Sequence, residues 1–189
     1  MLKVFKKLIP LDVGNSAQDE LYAKMPQNIK SVLSHKASLK RMMSLLGWEL
    51  LSENIQDKTL LSKVEFQEKG KPFLPNSNVY FNISNTKGIV VLAMHNKPVG
   101  IDIERLRKPR ECIYSRVFCP EEIDFINSSE DFIWLWTRKE AVVKLFGGGI
   151  SMGLTSFSVL EDEFEAFGKK IQIRPFNIDG FTTHLALYL

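Results

Sequence analysis

Residues 99–104 read VGIDIE, and residues 129–149 read SEDFIWLWTRKEAVVKLFGGG. In the first stretch Val99, Ile101 and Ile103 alternate with Gly100, Asp102 and Glu104, the period-two pattern of a strand. The second stretch predicts the longest helix, Ser129 to Phe146, with Asp131 near its start and Gly147-Gly148-Gly149 as a stop signal. Asp102 and Glu104 then project from one face of the strand. Trp136, Glu140 and Lys144, spaced by four, share one stripe of the helix. Gly100 weakens a strand and marks close approach of a ligand or of another backbone.

Working outward, residues 2–9 predict a short strand and residues 12–16 a polar turn. The pattern from about Asp19 to Leu51 is helical in two parts. In the second part Leu39, Met42, Met43, Leu46 and Leu50 mark a buried face, with Lys36, Lys40 and Arg41 on or near the other side. Residues 66–75, punctuated by Gly70, Pro72 and Pro75, predict a loop or an edge segment. VYFNIS (79–84) alternates like a strand, a turn is expected at Asn85-Thr86-Lys87-Gly88, and GIVVLAM (88–94) follows as a second strand. RLRKPR (105–110) is a basic loop, and residues 120–127 start a short helix with Pro at its first turn and acids beside it. Three strand-like runs close the chain: FSVLED (157–162), KKIQIRPF (169–176) and FTTHLALYL (181–189). The pattern suggests two strand–helix–strand halves.

The chain has 189 residues, 44% hydrophobic and 25% charged, with a formal net charge of +3. These values fit one folded unit or two small ones and exclude a disordered chain. No apolar run approaches the ~20 residues that span a bilayer, so no membrane association is expected. The first 13 residues are broken by Lys3, Lys6, Lys7 and Pro10 and lack a small-residue cleavage site, so they do not read as a signal peptide. Two cysteines, Cys112 and Cys119, are too few for a disulfide framework, and a cytoplasmic, reducing setting is the expectation. The mild positive charge does not by itself argue for nucleic acid, and the interleaved aromatic and basic strands of single-strand binders are missing.

Two carboxylates side by side, Asp102 and Glu104, suit Mg²⁺, which takes one or two carboxylates plus water and substrate phosphates. The same spacing also describes the solvent face of a half-buried strand. Glu140 and Lys144 read either as a surface ion pair worth ~0.3–0.5 kcal/mol, or as a third carboxylate or general base followed by a phosphate-neutralising lysine. Ser84 and Asn85 end a strand at a glycine-containing turn, which offers N–H groups to an anion but is also common hairpin chemistry. Lys36, Arg41 and Lys71 are candidate phosphate partners that equally suit a solvated surface. Cys112 and Cys119 fall outside zinc spacing, and His35, His95 and His184 make no triad or H-E-x-x-H pattern. Neither phosphate-loop glycine motif is present, and Gly147–Gly149 follow a helix instead of opening one.

The order GKP (70–72), FNIS (81–84), VGIDIE (99–104), RVFCPEE (116–122) and WTRKEAVVKLFGGGI (136–150) resembles the 4′-phosphopantetheinyl transferase superfamily. Chain length and the separate FNIS block are similar to its larger, Sfp type, and the resemblance covers about residues 35–160. It implies an α+β fold of two similar halves related by a pseudo-twofold, each a small antiparallel sheet packed on a long helix. Residues 1–98 and 99–189 would be those halves, with the site in the cleft between them. The implied reaction moves the 4′-phosphopantetheine arm of coenzyme A onto a serine of an apo acyl or peptidyl carrier protein. It requires Mg²⁺ and releases adenosine 3′,5′-bisphosphate.

By that resemblance Asp102, Glu104 and Glu140 would hold the metal. Glu140 would also be the base for the carrier serine, and Lys144 would contact the phosphates. Lys139 would be a second phosphate or site-ordering contact. Arg41, Lys71, Ser84 and Asn85 would bind the adenine and 3′-phosphate end of coenzyme A. One departure is Asn85, where the family often has His; Arg41 and Lys30 are the residues that would compensate. The carrier protein would be acidic around its serine, and the loop of Arg105, Arg107, Lys108 and Arg110 would meet it or simply be solvated. A monomer is implied, since internal duplication replaces a subunit contact. The alternative is an impaired family member that only binds coenzyme A or a carrier protein.

Overall fold

The computed structural model describes residues 1–9, 15–34, 38–109 and 111–189. His35, Lys36 and Arg110, and residues 12–14 of the expected turn, lie outside the described residues. The chain divides into two compact units, Met1–Asn96 and Lys97–Leu189. The class is α+β, with antiparallel sheets.

In the first unit β1 (Lys3–Leu8) is followed by α1 (Asn15–Lys24), α2 (Gln27–Leu33) and α3 (Ser38–Asn54). The helical region is thus three helices and not two, because Pro26 begins a new helix in extended conformation (ψ 159°). A short ribbon, β2 (Glu65–Phe66) and β3 (Pro72–Phe73), occupies the stretch expected to be a loop or an edge segment, and the hairpin β4 (Tyr80–Thr86) and β5 (Ile89–His95) completes the unit. The hairpin turn is tighter than expected: Asn85 and Thr86 remain in the ladder, opposite Val90 and Ile89. The sheet order is β1-β5-β4. The core is built by Leu45, Leu46, Trp48 and Leu51 of α3 packing on Phe81, Val90 and Leu92. Leu39, assigned to the buried face by spacing, is 66% exposed, because it lies in the first turn of α3 before the helix meets the sheet.

In the second unit β6 (Val99–Glu104) leads through α4 (Tyr114–Val117) and α5 (Pro120–Phe125) to α6 (Ser129–Phe146). β7 (Glu163–Ala166), β8 (Lys169–Pro175) and β9 (Thr182–Tyr188) follow, in sheet order β6-β9-β8-β7. FSVLED is not a strand; its backbone is held instead by side chains of α5 and α6, and β7 starts at Glu163. Helix α6 starts where the Ser128 hydroxyl accepts the Asp131 N–H at 3.0 Å and Glu130 and Asp131 face the positive helix end. It stops at Gly147, whose φ of 81° needs a glycine and whose N–H donates to the Val143 carbonyl at 2.8 Å. Phe132, Leu135, Val142 and Leu145 of α6 pack with Ile171, Ile173 and Ala186 of the sheet. Each fully buried aliphatic side chain of this kind stabilises by roughly 1.5–3 kcal/mol.

The two units share a connectivity. In each, the first strand pairs with the last strand, which pairs with the one before it, and a long helix is inserted after the first strand; β7 is an addition on the edge of the second sheet.

Candidate active site

The site is built on the crossing of β6 and α6. A Cβ on Gly100 would collide with the Ala141 carbonyl oxygen and lie 2.5 Å from the Leu145 nitrogen. The glycine therefore marks the approach of another backbone, and its absent side chain lets the strand lie directly on the helix. Side chains alternate along a strand, so Asp102 and Glu104 share the helix-facing side with Gly100. Strand and helix run in opposite directions. Asp102 meets Lys144, with Nζ to Oδ1 at 2.6 Å, and further on Arg107 lies over the rings of Phe132 (5.3 Å) and Trp136 (5.6 Å). Glu140 sits between those two levels, one helical turn from Lys144 and one from Trp136.

Charge follows from this placement. Asp102 is 4% exposed. Burial first, and then the Asp102 carboxylate, push the Glu140 carboxyl up to about 7; Glu104 adds to the rise and Lys144 opposes it. The Glu140 carboxyl thus feels the charges of Asp102 and Glu104. Glu104 faces Arg107 at 3.7 Å.

Lys139 is placed differently. It is fully buried, donates to the carbonyls of Leu154 (2.8 Å) and Phe157, and pairs with Glu122 at 2.9 Å. These three partners take all three donors of the ammonium and leave none for a phosphate; what its bonds do is order the 154–157 segment. Glu122, also fully buried, accepts the N–H of Cys119 at 3.0 Å and of Val159 at 2.7 Å. Arg138 donates to the carbonyl of Glu161 and, at 2.6 Å, to that of Val159, and pairs with Asp162 at 2.9 Å. Helix α6 is thus pinned just before Glu140 by two charged side chains. Neither Glu122 nor Arg138 stood out in the sequence, although Glu122 occupies the third position of α5, where a capping carboxylate belongs.

His184 was also missed. It pairs across the sheet from Asp102, is 2% exposed, and its Nδ1 lies 2.8 Å from the Thr137 hydroxyl. Burial, aided by Arg138, drives its pKa down to about 4, so the ring is neutral. Burial pushes the Cys119 thiol up to about 12, which leaves it unreactive at neutral pH.

In the first unit, Arg41 donates to the Ser34 carbonyl at 3.2 Å and lies over the Tyr22 ring, as Lys30 does. Lys71 sits in the turn of the β2–β3 ribbon, and burial lowers its pKa to about 8. Ser84 and Asn85, grouped by the sequence, point to opposite faces of β4. Ser84 is 2% exposed, whereas Asn85 lines a small cavity of about 160 Å³ with Ser44 and Trp48 of α3 and with Gly70 and Pro72, the neighbours of Lys71. Of these four residues Asn85 lines that cavity, beside the chain neighbours of Lys71; Arg41, Lys71 and Ser84 are not among its lining residues.

The basic loop is partly packed. Arg105 lies over the Phe181 ring at 4.8 Å, Arg107 over Phe132 and Trp136, and Lys108 is exposed. Among the described residues no three His, Cys, Asp or Glu side chains stand together closely enough to hold a metal ion. The donor set of Asp102, Glu104 and Glu140 still suits Mg²⁺ in chemistry, three carboxylates and no softer ligand. Among the described residues no helix is long and apolar enough to cross a membrane.

Residues 98–185 match the family model of the 4′-phosphopantetheinyl transferase superfamily. A 4′-phosphopantetheinyl transferase of Bacillus subtilis is 38% identical over 105 residues, 51% of this chain and 47% of its own. The 4′-phosphopantetheinyl transferase Sfp of Bacillus subtilis (strain 168) is 35% identical over 136 residues, 66% and 60% of the two chains. The 4′-phosphopantetheinyl transferase gsp of Aneurinibacillus migulanus is 35% identical over 126 residues, 60% and 52%. The chain spans about half the length of the curated relatives it matches. The matched segment contains Asp102, Glu104, Lys139, Glu140 and Lys144.

Proposed function

Because the chain belongs to the 4′-phosphopantetheinyl transferase superfamily, of the Sfp type, we propose that it transfers the phosphopantetheine arm of coenzyme A to a carrier-protein serine. The observation that carries this reading is the strand–helix crossing at Gly100, which puts Glu140 within electrostatic reach of Asp102 and Glu104 and sets Lys144 on Asp102. Asp102, Glu104 and Glu140 would hold Mg²⁺, which when bound neutralises charge on the pyrophosphate of coenzyme A.

The rest falls to the chain's own groups. Glu140 in its ionised form accepts the proton of the carrier serine. The serine oxygen bonds to the phosphorus carrying the pantetheine arm, and the bond from that phosphorus to the bridging oxygen breaks. Adenosine 3′,5′-bisphosphate leaves with the electron pair. Lys144 shifts from Asp102 toward the phosphates and stabilises charge on the leaving side. Lys139 and Arg138 hold the helix that carries Glu140. Lys71 and Asn85, with Arg41 and Ser84, serve the adenine and 3′-phosphate end. Asn85 donates a hydrogen bond there but carries no charge.

A second reading, binding without transfer, draws on the ungathered carboxylates and on the ammonium that occupies Asp102. Incubating the protein with coenzyme A, Mg²⁺ and an apo carrier protein, and following adenosine 3′,5′-bisphosphate by chromatography, separates the two. Stoichiometric release supports transfer. Coenzyme A binding without release supports the second reading, and neither contradicts both.

A further inference from the structure

The sequence places Arg107 in a basic loop that meets a carrier protein or is simply solvated. Its surroundings are those of a binding group. The guanidinium lies over Phe132 and Trp136, two residues of the α6 stripe that continues to Glu140 and Lys144, and Glu104 faces it at 3.7 Å. Its side chain is only 33% exposed, and Nη1 is buried without a hydrogen-bond partner among the described residues. Aromatic faces and a carboxylate therefore fix the plane of the guanidinium while one donor edge stays unused.

Position adds to this. Along α6, Lys144 lies one turn beyond Glu140, and Trp136, under Arg107, lies one turn before it, a rise of about 6 Å each way. The carboxylates are bracketed by a cation on either side. An unused guanidinium donor beside the Glu104 carboxylate suits an oxyanion that arrives with a neutralising metal, since guanidinium geometry matches phosphate oxygens.

We propose that Arg107 contacts a phosphoryl oxygen of the bound co-substrate on the side of Glu140 opposite Lys144. This rests on the proposed function and adds a phosphate-binding residue to it. It makes Arg107 part of coenzyme binding and not of carrier docking. Glu104 and the two rings hold the side chain in place before the ligand arrives, so little side-chain entropy is lost on binding.

The test is isothermal titration of coenzyme A and, separately, of inorganic pyrophosphate, both with Mg²⁺ and without carrier protein. The proteins are wild type, Arg107→Gln, Arg107→Lys and, as an exposed control, Lys108→Gln. The expected result is a weakening of both ligands by about tenfold or more for Arg107→Gln, as for loss of a charge-assisted hydrogen bond. Partial recovery is expected in Arg107→Lys, which keeps the charge and loses the planar fork, and less than a twofold change in Lys108→Gln. Wild-type affinity for both ligands in Arg107→Gln and Arg107→Lys, with or without a raised carrier KM, overturns the assignment and leaves the proposed function standing. A wild-type protein that binds neither ligand overturns both.

Discussion

The Nζ of Lys144 lies 2.6 Å from Oδ1 of Asp102, joining α6 to β6 across the helix-facing side of the sheet. Asp102 is nearly buried and Lys144 is partly so, which leaves the pair weakly screened by solvent. Lys144→Met should therefore destabilise the metal-free protein by about 2 kcal/mol, the range for a hydrogen bond to a charged group. Asp102→Asn should recover much of that loss in the double variant. A double-mutant cycle by urea denaturation measures the coupling, and a coupling near zero would remove this pair from the site's electrostatics.

Two buried groups should give stability opposite slopes with pH. Glu140 has its folded pKa raised to about 7 from an ordinary 4.5. The folded state then holds its proton more tightly, and stability falls as pH rises from about 4.5 to 7. His184 has its folded pKa lowered to about 4 from 6.5. The unfolded state takes up its proton first, so this contribution is lost as pH falls from about 6.5 to 4. In the presence of a chelator, Glu140→Gln should remove its fall with pH, and His184→Gln should lessen the rise. Each slope should amount to the order of 2 kcal/mol across its window. Denaturation midpoints at several pH values between 4.5 and 7.5 check both directions.

Glu122 and Lys139 form a fully buried pair that also bonds the backbone of Cys119, Leu154, Phe157 and Val159. Removing one partner leaves an uncompensated buried charge, so Lys139→Met should cost about 3–5 kcal/mol. The same change at an exposed lysine such as Lys108 should cost less than about 0.5 kcal/mol. If Lys139→Met melts like wild type, the residue does not order the 154–157 segment.

Lys71 keeps a positive charge in a partly buried place that does not favour it. Lys71→Met should raise stability at pH 7 by about 1 kcal/mol while weakening coenzyme A binding about tenfold. Thermal melting and titration of coenzyme A read the two effects separately. A variant that is less stable and binds equally well would place Lys71 in the fold and not in the site.

Much of this was legible in the sequence where period and chemistry coincide. VGIDIE and the helix ending at Gly147 were readable because strand alternation, a capped start and a glycine stop agree. Gly100 was readable as a close approach, though not which backbone approached. The carboxylates were readable because strand and helix spacing fix shared faces. What could not be read depends on partners distant in sequence. Lys139 looks like a second phosphate lysine until Glu122 and the 154–157 carbonyls close around it. His184 has no local motif, and only the β6–β9 register sets it opposite Asp102. Adjacent Ser84 and Asn85 were grouped although a strand sends neighbours to opposite faces. FSVLED has strand composition, but Arg138 and Glu122 take its backbone groups.

The most direct measurement is the intact mass of an apo carrier protein after incubation with coenzyme A, Mg²⁺ and either the wild-type chain, Asp102→Ala or Glu140→Gln. The expected result is a gain of one phosphopantetheine arm with wild type and no gain with either variant, both variants keeping wild-type circular dichroism. An unmodified carrier with wild type, or a fully modified one with both variants, would contradict the assignment of Asp102 and Glu140 as the groups that carry the reaction.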